Sequence, residues 1–181
     1  MKLIETQRLI MRPLEQTDFD DFLEYIMDKS LSRLYGLPME KDRNLCYKIF
    51  SSFLSGDKTY ALEHKGDKKM IGHLMIVPPE LPGCNEADLS GKRGITLAFA
   101  VSAQYQRQGF MIKALHAIIE ELFIVQKYDY IHCGYFEFNT PSKILQEKLG
   151  FTYYGFHTTK NGEVKIIDNL LFRENEHCIE L

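Results

Sequence analysis

The sequence predicts an α+β fold, a mixed and mostly antiparallel sheet of about six to seven strands flanked by about four helices. Three observations carry this. Strand patterns at Ile95 to Val101 and Tyr130 to Phe138 enclose a helical pattern from Ile112 to Phe123, and such a strand–helix–strand unit implies a parallel pair. Two hairpin signals, one around Gly66 and one at Asn161-Gly162, imply antiparallel neighbours. The other helical patterns stand near the start of the chain and before the second hairpin, so strands and helices do not simply alternate.

In chain order, Leu3 to Met11 reads as the first strand, interrupted at Thr6 and Gln7 and closed by Pro13. Thr17 and Asp20 stand three apart ahead of Phe19, Phe22, Leu23 and Ile26, a variant capping box opening an amphipathic helix. Leu45, Ile49, Phe50, Phe53 and Leu54 space a second helix that ends near Gly56. Tyr60 to Leu62 and Met70 to Val77 make the first hairpin. Residues 78–94, rich in Pro, Gly, Asn and Asp, read as a loop insertion. The apolar run Ile95 to Val101 is expected to be a strand buried on both faces. Thr140 reads as the N-cap of a short helix with Pro141 at its first position and Gly150 as its stop, and Phe151 to His157 and Val164 to Phe172 close the chain as strands.

Composition narrows the function classes. The 181 residues are expected to form one domain over 1–181, since about 100–200 residues usually bury a single core. A 45% hydrophobic and 26% charged content speaks against disorder. The formal charge of −3 speaks against nucleic acid as a partner, and there is no apolar run of membrane length. Glu5, Arg8 and Arg12 stand where a leader would need an apolar stretch, so a cytoplasmic address is expected. Scattered Cys and His residues give no disulfide framework and no metal-ligand spacing.

The chemistry concentrates at the junction Gln104 to Leu115. A buried strand, a polar loop, Gly109 and then a helix aim free N–H groups and a helix dipole at one spot, which suits phosphate. The loop matches neither the dinucleotide nor the P-loop glycine pattern, and Ser90-Gly91-Lys92 fails as a P-loop because Glu86 stands where its first glycine belongs.

Gln106-Arg107-Gln108-Gly109-Phe110-Met111 resembles the acetyl-CoA-binding loop of the GNAT superfamily of N-acetyltransferases, with Met111 in place of the last small residue. Thr6 to Pro13, and Asn139-Thr140-Pro141-Ser142 followed by Leu149-Gly150-Phe151, resemble the branch that acetylates ribosomal-protein N-termini. The resemblance implies a single GNAT-like domain whose parallel pair splays at the cofactor site. It implies that N–H groups from Arg107 to Met111 cradle the pyrophosphate of acetyl-CoA, with Gln106 at the loop's head and Arg107 and Lys113 adding charge. The backbone of Phe99, Ala100 and Val101 would bind the pantetheine arm, the Val101 N–H would polarise the thioester carbonyl, and Asn139 would orient the pantetheine amides. Gln146 occupies the place of the family's usual tyrosine acid, which leaves Ser142 as the proton donor to the departing thiolate. Thr96 occupies the place of the branch's glutamate base, for which Glu137, Glu80, Glu86 and Asp88 are replacements by position alone.

The acceptor is expected to be a protein N-terminal α-amine or a small-molecule amine, attacked in a ternary complex. An α-amine is neutral at pH 7 far more often than a lysine amine, a difference of about 3.5 kcal/mol, which matters where no base is evident. The alternatives are a non-catalytic acyl-CoA-binding or sensor module and a cofactor-free peptide-binding module. A homodimer is compatible with the sequence.

Overall fold

A computed structural model of the chain describes residues 2–56, 58–79, 81, 89–159 and 162–174. Two compact units emerge, Met1–Ile76 with Phe99–Ala117, and Val77–Ala98 with Ile118–Leu181.

The first unit holds strands β1 (Ile4–Glu5), β2 (Leu9–Pro13), β3 (Thr59–His64) and β4 (Lys69–Val77), each antiparallel to the next, β4 running one residue past Ile76. The single opening strand expected from Leu3 to Met11 is thus two. Thr6 turns the chain: its N–H donates to Leu9 O at 2.9 Å, and its Oγ1 accepts from Leu9 N–H at 3.1 Å. Helix α1 (Phe19–Ile26) is entered through a 3-10 turn at Gln16–Asp18, and Asp18 Oδ2 accepts from Glu15 N–H at 2.8 Å. The cap therefore rests on Glu15 and Asp18, two residues before the expected Thr17 and Asp20. Helix α2 (Lys29–Tyr35), absent from the sequence reading, is capped by Asp28, whose carboxylate accepts from Ser30 and Leu31. Helix α3 (Arg43–Ser55) is capped by Asp42 and closes at Gly56 as expected. The apolar faces of α1 and α3 bury Phe22, Ile26, Cys46 and Phe50 against Ala61, Met70 and Ala100. Arg12 reaches Asp18 at 2.7 and 2.9 Å and Glu63 at 2.6 Å, tying β2 to the entry of α1 and to β3; these carboxylates push the guanidinium's pKa up.

Within this core His73 is fully buried. Tyr25 Oη lies 2.8 Å from its Nδ1, its Nε2 lies 2.9 Å from Tyr35 Oη, and the Tyr35 hydroxyl donates to Met75 Sδ at 3.8 Å. The last bond assigns Nε2 as donor to Tyr35 and Nδ1 as acceptor from Tyr25, a neutral ring with both nitrogens used. Burial pulls its pKa down from 6.5 to about 3. Above pH 6.5 the ring is neutral in both folded and unfolded chains. Below it the unfolded chain takes up a proton that the folded one refuses, so stability falls with acid by at most about 1.4 kcal/mol per pH unit down to about pH 3. Urea unfolding between pH 7 and pH 4 is expected to show this slope, and His73→Leu to remove that part of it; equal slopes in the two proteins would refute it.

The second unit holds β5 (Gly94–Val101, its last three residues in the first unit), β6 (Tyr130–Phe136), β7 (Thr152–Thr158) and β8 (Lys165–Phe172). β5 is parallel to β6, β6 is antiparallel to β8, and β8 to β7. The parallel ladder joins Gly94 to Tyr130, Ile95 to Ile131 and Thr96 to His132, while β5 continues to Val101 and β6 to Phe136. β5 buries Ile95, Leu97 and Ala100 and leaves the residues between half-exposed, so it is not buried on both faces as expected. Helix α4 (Phe110–Glu120) continues into a π-helical turn at Glu121–Val125. β6 ends two residues before the expected Phe138, and Glu137 and Phe138 form a turn. Helix α5 (Thr140–Lys148) is capped by Asn139, one residue before the expected Thr140. Leu81 and Leu89, described parts of the loop segment, pack with Tyr130 and Leu170. Glu80, Glu86, Asp88, Cys84, Cys178 and Asn161 lie outside the described residues.

Among the described residues the two units hold eight strands and five α-helices where about six to seven strands and about four helices were expected, and the parallel pair β5–β6 stands among antiparallel pairs as the sequence predicts. Among the described residues no helix is long and apolar enough to cross a membrane.

Candidate active site

In the first unit β4 and the end of β5 approach closely. Ser102 N–H donates to Ile71 O at 2.7 Å. N–H groups alternate edges along a strand, so the Phe99 and Val101 N–H groups face away from β4. That is the orientation a pantetheine arm and an oxyanion contact require. Gln106 Nε2 donates to Val101 O at 3.2 Å and folds the loop back onto the strand.

The loop follows a 3-10 turn at Ala103–Tyr105. Tyr105 Oη donates to Asp67 Oδ2 at 2.6 Å, a bond that pushes the phenol up to about 12. Gln108 Nε2 donates to Gln104 O at 2.8 Å. Arg107 and Gly109 are both left-handed, with φ of 60° and 79°, and left-handed residues interleaved in a turn make consecutive N–H groups converge into an anion-binding concavity. The first N–H groups of α4 lack partners within the helix, and its dipole is positive at that end. A pyrophosphate fits this arrangement. The Phe110 and Met111 side chains are buried, and Met111, 7% exposed, is part of the core rather than of the loop surface. The Arg107 and Lys113 side chains are exposed and open to an anionic ligand.

The second unit carries the other residues singled out by sequence. Asn139 Oδ1 accepts from Ser142 N–H at 3.2 Å, which makes Asn139 a helix cap. Ser142 Oγ accepts from Gln146 Nε2 at 3.1 Å, and Gln146 Oε1 accepts from Asn169 Nδ2 at 3.0 Å. Gln146 is thus buried and held at both ends, and Ser142 keeps its own hydroxyl proton to donate. Glu137 pairs with Lys165 at 3.2 Å. Thr96 Oγ1 lies 2.9 Å from His132 Nδ1. Among the described residues no group of three His, Cys, Asp or Glu side chains is placed to hold a metal ion.

The family model of the acetyltransferase (GNAT) domain matches residues 8–152, which include the loop and α5. The chain belongs to the GNAT family of acetyltransferases. It is an N-acetyltransferase that uses acetyl-CoA as donor and an amine as acceptor. No curated protein gives a significant match to the sequence. Among solved structures, a GNAT-family acetyltransferase from Bacillus anthracis is 17% identical with a TM-score of 0.79, over 96% of this chain and 99% of that one. Spermidine N-acetyltransferase from Vibrio cholerae, in complex with CoA and spermine, is 12% identical with a TM-score of 0.73, over 95% and 99%. Ribosomal-protein-S5-alanine acetyltransferase from Vibrio fischeri is 16% identical with a TM-score of 0.70, over 97% and 98%. At these identities the likeness is one of GNAT fold.

Sequence reasoning gave Arg8 no role beyond the opening motif. Arg8 Nη2 hydrogen-bonds Gln108 O, and its guanidinium lies 4.2 Å from the centroid of the Phe110 ring, so it clamps the GNAT loop from outside. Arg8→Ala is expected to lower stability by about 1 kcal/mol and to raise the KM for acetyl-CoA several-fold with a smaller change in kcat. Steady-state kinetics check this; an unchanged KM would remove Arg8 from the loop's support.

Proposed function

We propose that the protein transfers the acetyl group to a protein N-terminal α-amine or a small-molecule amine by direct attack in a ternary complex. The observation that carries the reading is the loop after β5. Its left-handed Arg107 and Gly109 and the start of α4, whose first N–H groups have no partner within the helix, supply the N–H groups for a pyrophosphate, beside a strand end whose Val101 N–H faces away from β4. Acetyl-CoA supplies an activated thioester. Phe99, Ala100 and Val101 align the pantetheine arm, Gln106, Gln108, Phe110 and Met111 shape the loop, and Arg107 and Lys113 add charge. Asn139 fixes the first turn of α5, and Ser142 donates a proton to the leaving sulfur.

The acceptor class is supported by the side chains available. Thr96 stands where the related branch has a glutamate, and Glu137 is engaged by Lys165. An amine that is already partly neutral at pH 7 asks least of a site with no carboxylate base at that position. The test is free-thiol release from acetyl-CoA with a panel of peptides bearing a free N-terminus, N-blocked lysine peptides, polyamines and amino-acid derivatives. Faster turnover of α-amines or of a small amine than of lysine peptides is expected. Faster lysine acetylation would overturn the acceptor assignment, and coenzyme A binding without thiol release on any amine would overturn the transfer reading.

A further inference from the structure

Thr96 does not stand alone. Four side chains on four successive strands of the second unit form one hydrogen-bonded row. Thr96 Oγ1 lies 2.9 Å from His132 Nδ1, His132 Nε2 lies 2.9 Å from Asp168 Oδ1, and Asp168 Oδ2 lies 2.7 Å from His157 Nδ1. The register places them together: Thr96 pairs with His132, His132 with Leu170, and Asp168 precedes Leu170 by two residues and so shares its face. Asp168 is fully buried, the His132 side chain is 5% exposed, and that of His157 is 23% exposed. Thr96 and His132 form the last rung of the parallel ladder, and beyond it β5 runs on to Val101.

We propose that Thr96, backed by His132 and Asp168, is the route by which the acceptor ammonium loses its proton. The inference rests on the N-acetyltransfer reading. An ionised carboxylate can only accept, so both nitrogens facing Asp168 carry hydrogen, His132 at Nε2 and His157 at Nδ1. In the neutral ring His132 Nδ1 then holds a lone pair and accepts the Thr96 hydroxyl hydrogen. The Thr96 oxygen keeps lone pairs for a donor on its other side. An ammonium donating there passes one proton to Thr96 Oγ as Thr96 passes its own to His132 Nδ1. The resulting imidazolium is held by Asp168, and His157 steadies the carboxylate. The freed amine forms the C–N bond as the C–S bond breaks, the second amine proton leaves with the sulfur through Ser142, and the proton on His132 returns through Thr96 to solvent. One proton is released per acetyl transferred. Filling these positions with apolar side chains would generally be no less stable than burying a carboxylate between two imidazoles, so stability alone gives the row no clear purpose.

The test compares wild type, Thr96→Val, Thr96→Ser and His132→Gln. The probes are a peptide whose only amine is its N-terminus and an N-acetylated peptide with one lysine. Thr96→Val keeps the shape and removes the hydroxyl. It is expected to lower kcat on the order of 100-fold, with the KM for acetyl-CoA unchanged, a greater loss on the lysine peptide, and recovery in Thr96→Ser. His132→Gln is expected to match it. Independently of turnover, nitrogen NMR of the neutral His132 ring is expected to show hydrogen on Nε2 and none on Nδ1. The reverse tautomer, or a folded Thr96→Val variant within twofold of wild type on both peptides, overturns the route while leaving acetyl transfer intact. A wild type that releases no thiol with any amine overturns the parent reading, and this one with it.

Discussion

Gly72→Ala is expected to destabilise the protein by about 3 kcal/mol and to lose turnover out of proportion to that. A Cβ at Gly72 would lie 2.3 Å from Ala100 O and 2.9 Å from Val101 Cα. Both are backbone atoms of a paired strand, so no rotamer change relieves the clash. His73 on β4 is fully buried between two tyrosines and Ala100 is packed in the core, so neither strand can give way freely. The relief available is a shift of the end of β5, which carries the Phe99 and Val101 N–H groups with it. A displacement of about 1 Å at a reacting centre can cost about 100-fold in rate. Urea unfolding and thiol release, measured on the same preparation, check both parts. A variant as stable and as active as wild type would show that the two backbones do not approach this closely.

How much of this was legible in the sequence depended on how local the cause was. The hairpin through Gly66, the end of α3 at Gly56, and the buried face of α4 follow from neighbours within about a turn of one another, and they appear as expected. The loop residues Gln106 to Met111 belong to the same class, since the left-handed positions and the helix start lie within a few residues. Helix α2 escaped because seven residues burying only Leu31 and Ser32 give no periodicity, although Asp28 and Gly36 at its ends were visible signals. The split of the first strand turned on Thr6 bonding to Leu9, a turn that strand periodicity alone does not show. Arg8 and Gln108 are 100 residues apart, and nothing in either segment announces the other. His132 and His157 looked like isolated histidines because their shared partner, Asp168, is reached only through strand register. Thr96 read as a lost base for the same reason: its identity was plain, but its partner was not.

Gly109→Val tests the loop where local geometry is most demanding. Gly109 has a φ of 79°, a region that a β-branched residue adopts only with strain of about 1–3 kcal/mol. Space alone is not the obstacle, because an added Cβ would meet only Arg8 Nη2, at 3.6 Å. The variant can keep the fold by relaxing the loop, and relaxation rotates the N–H groups of Gly109 and Phe110 away from a common point. Affinity for coenzyme A is expected to fall at least tenfold, with a loss of unliganded stability of about 1 kcal/mol. Thermal and urea unfolding with and without coenzyme A separate the two effects. At a concentration 100 times the wild-type Kd, bound ligand adds about 2.7 kcal/mol to wild type but only about 1.4 kcal/mol to a variant that binds tenfold more weakly. Should the variant show the full ligand increment, the pyrophosphate does not sit on this loop. A reduced increment with β5 intact would assign anion recognition to the backbone after Gln108 rather than to the exposed cations, because Arg107 and Lys113 are unchanged in the variant.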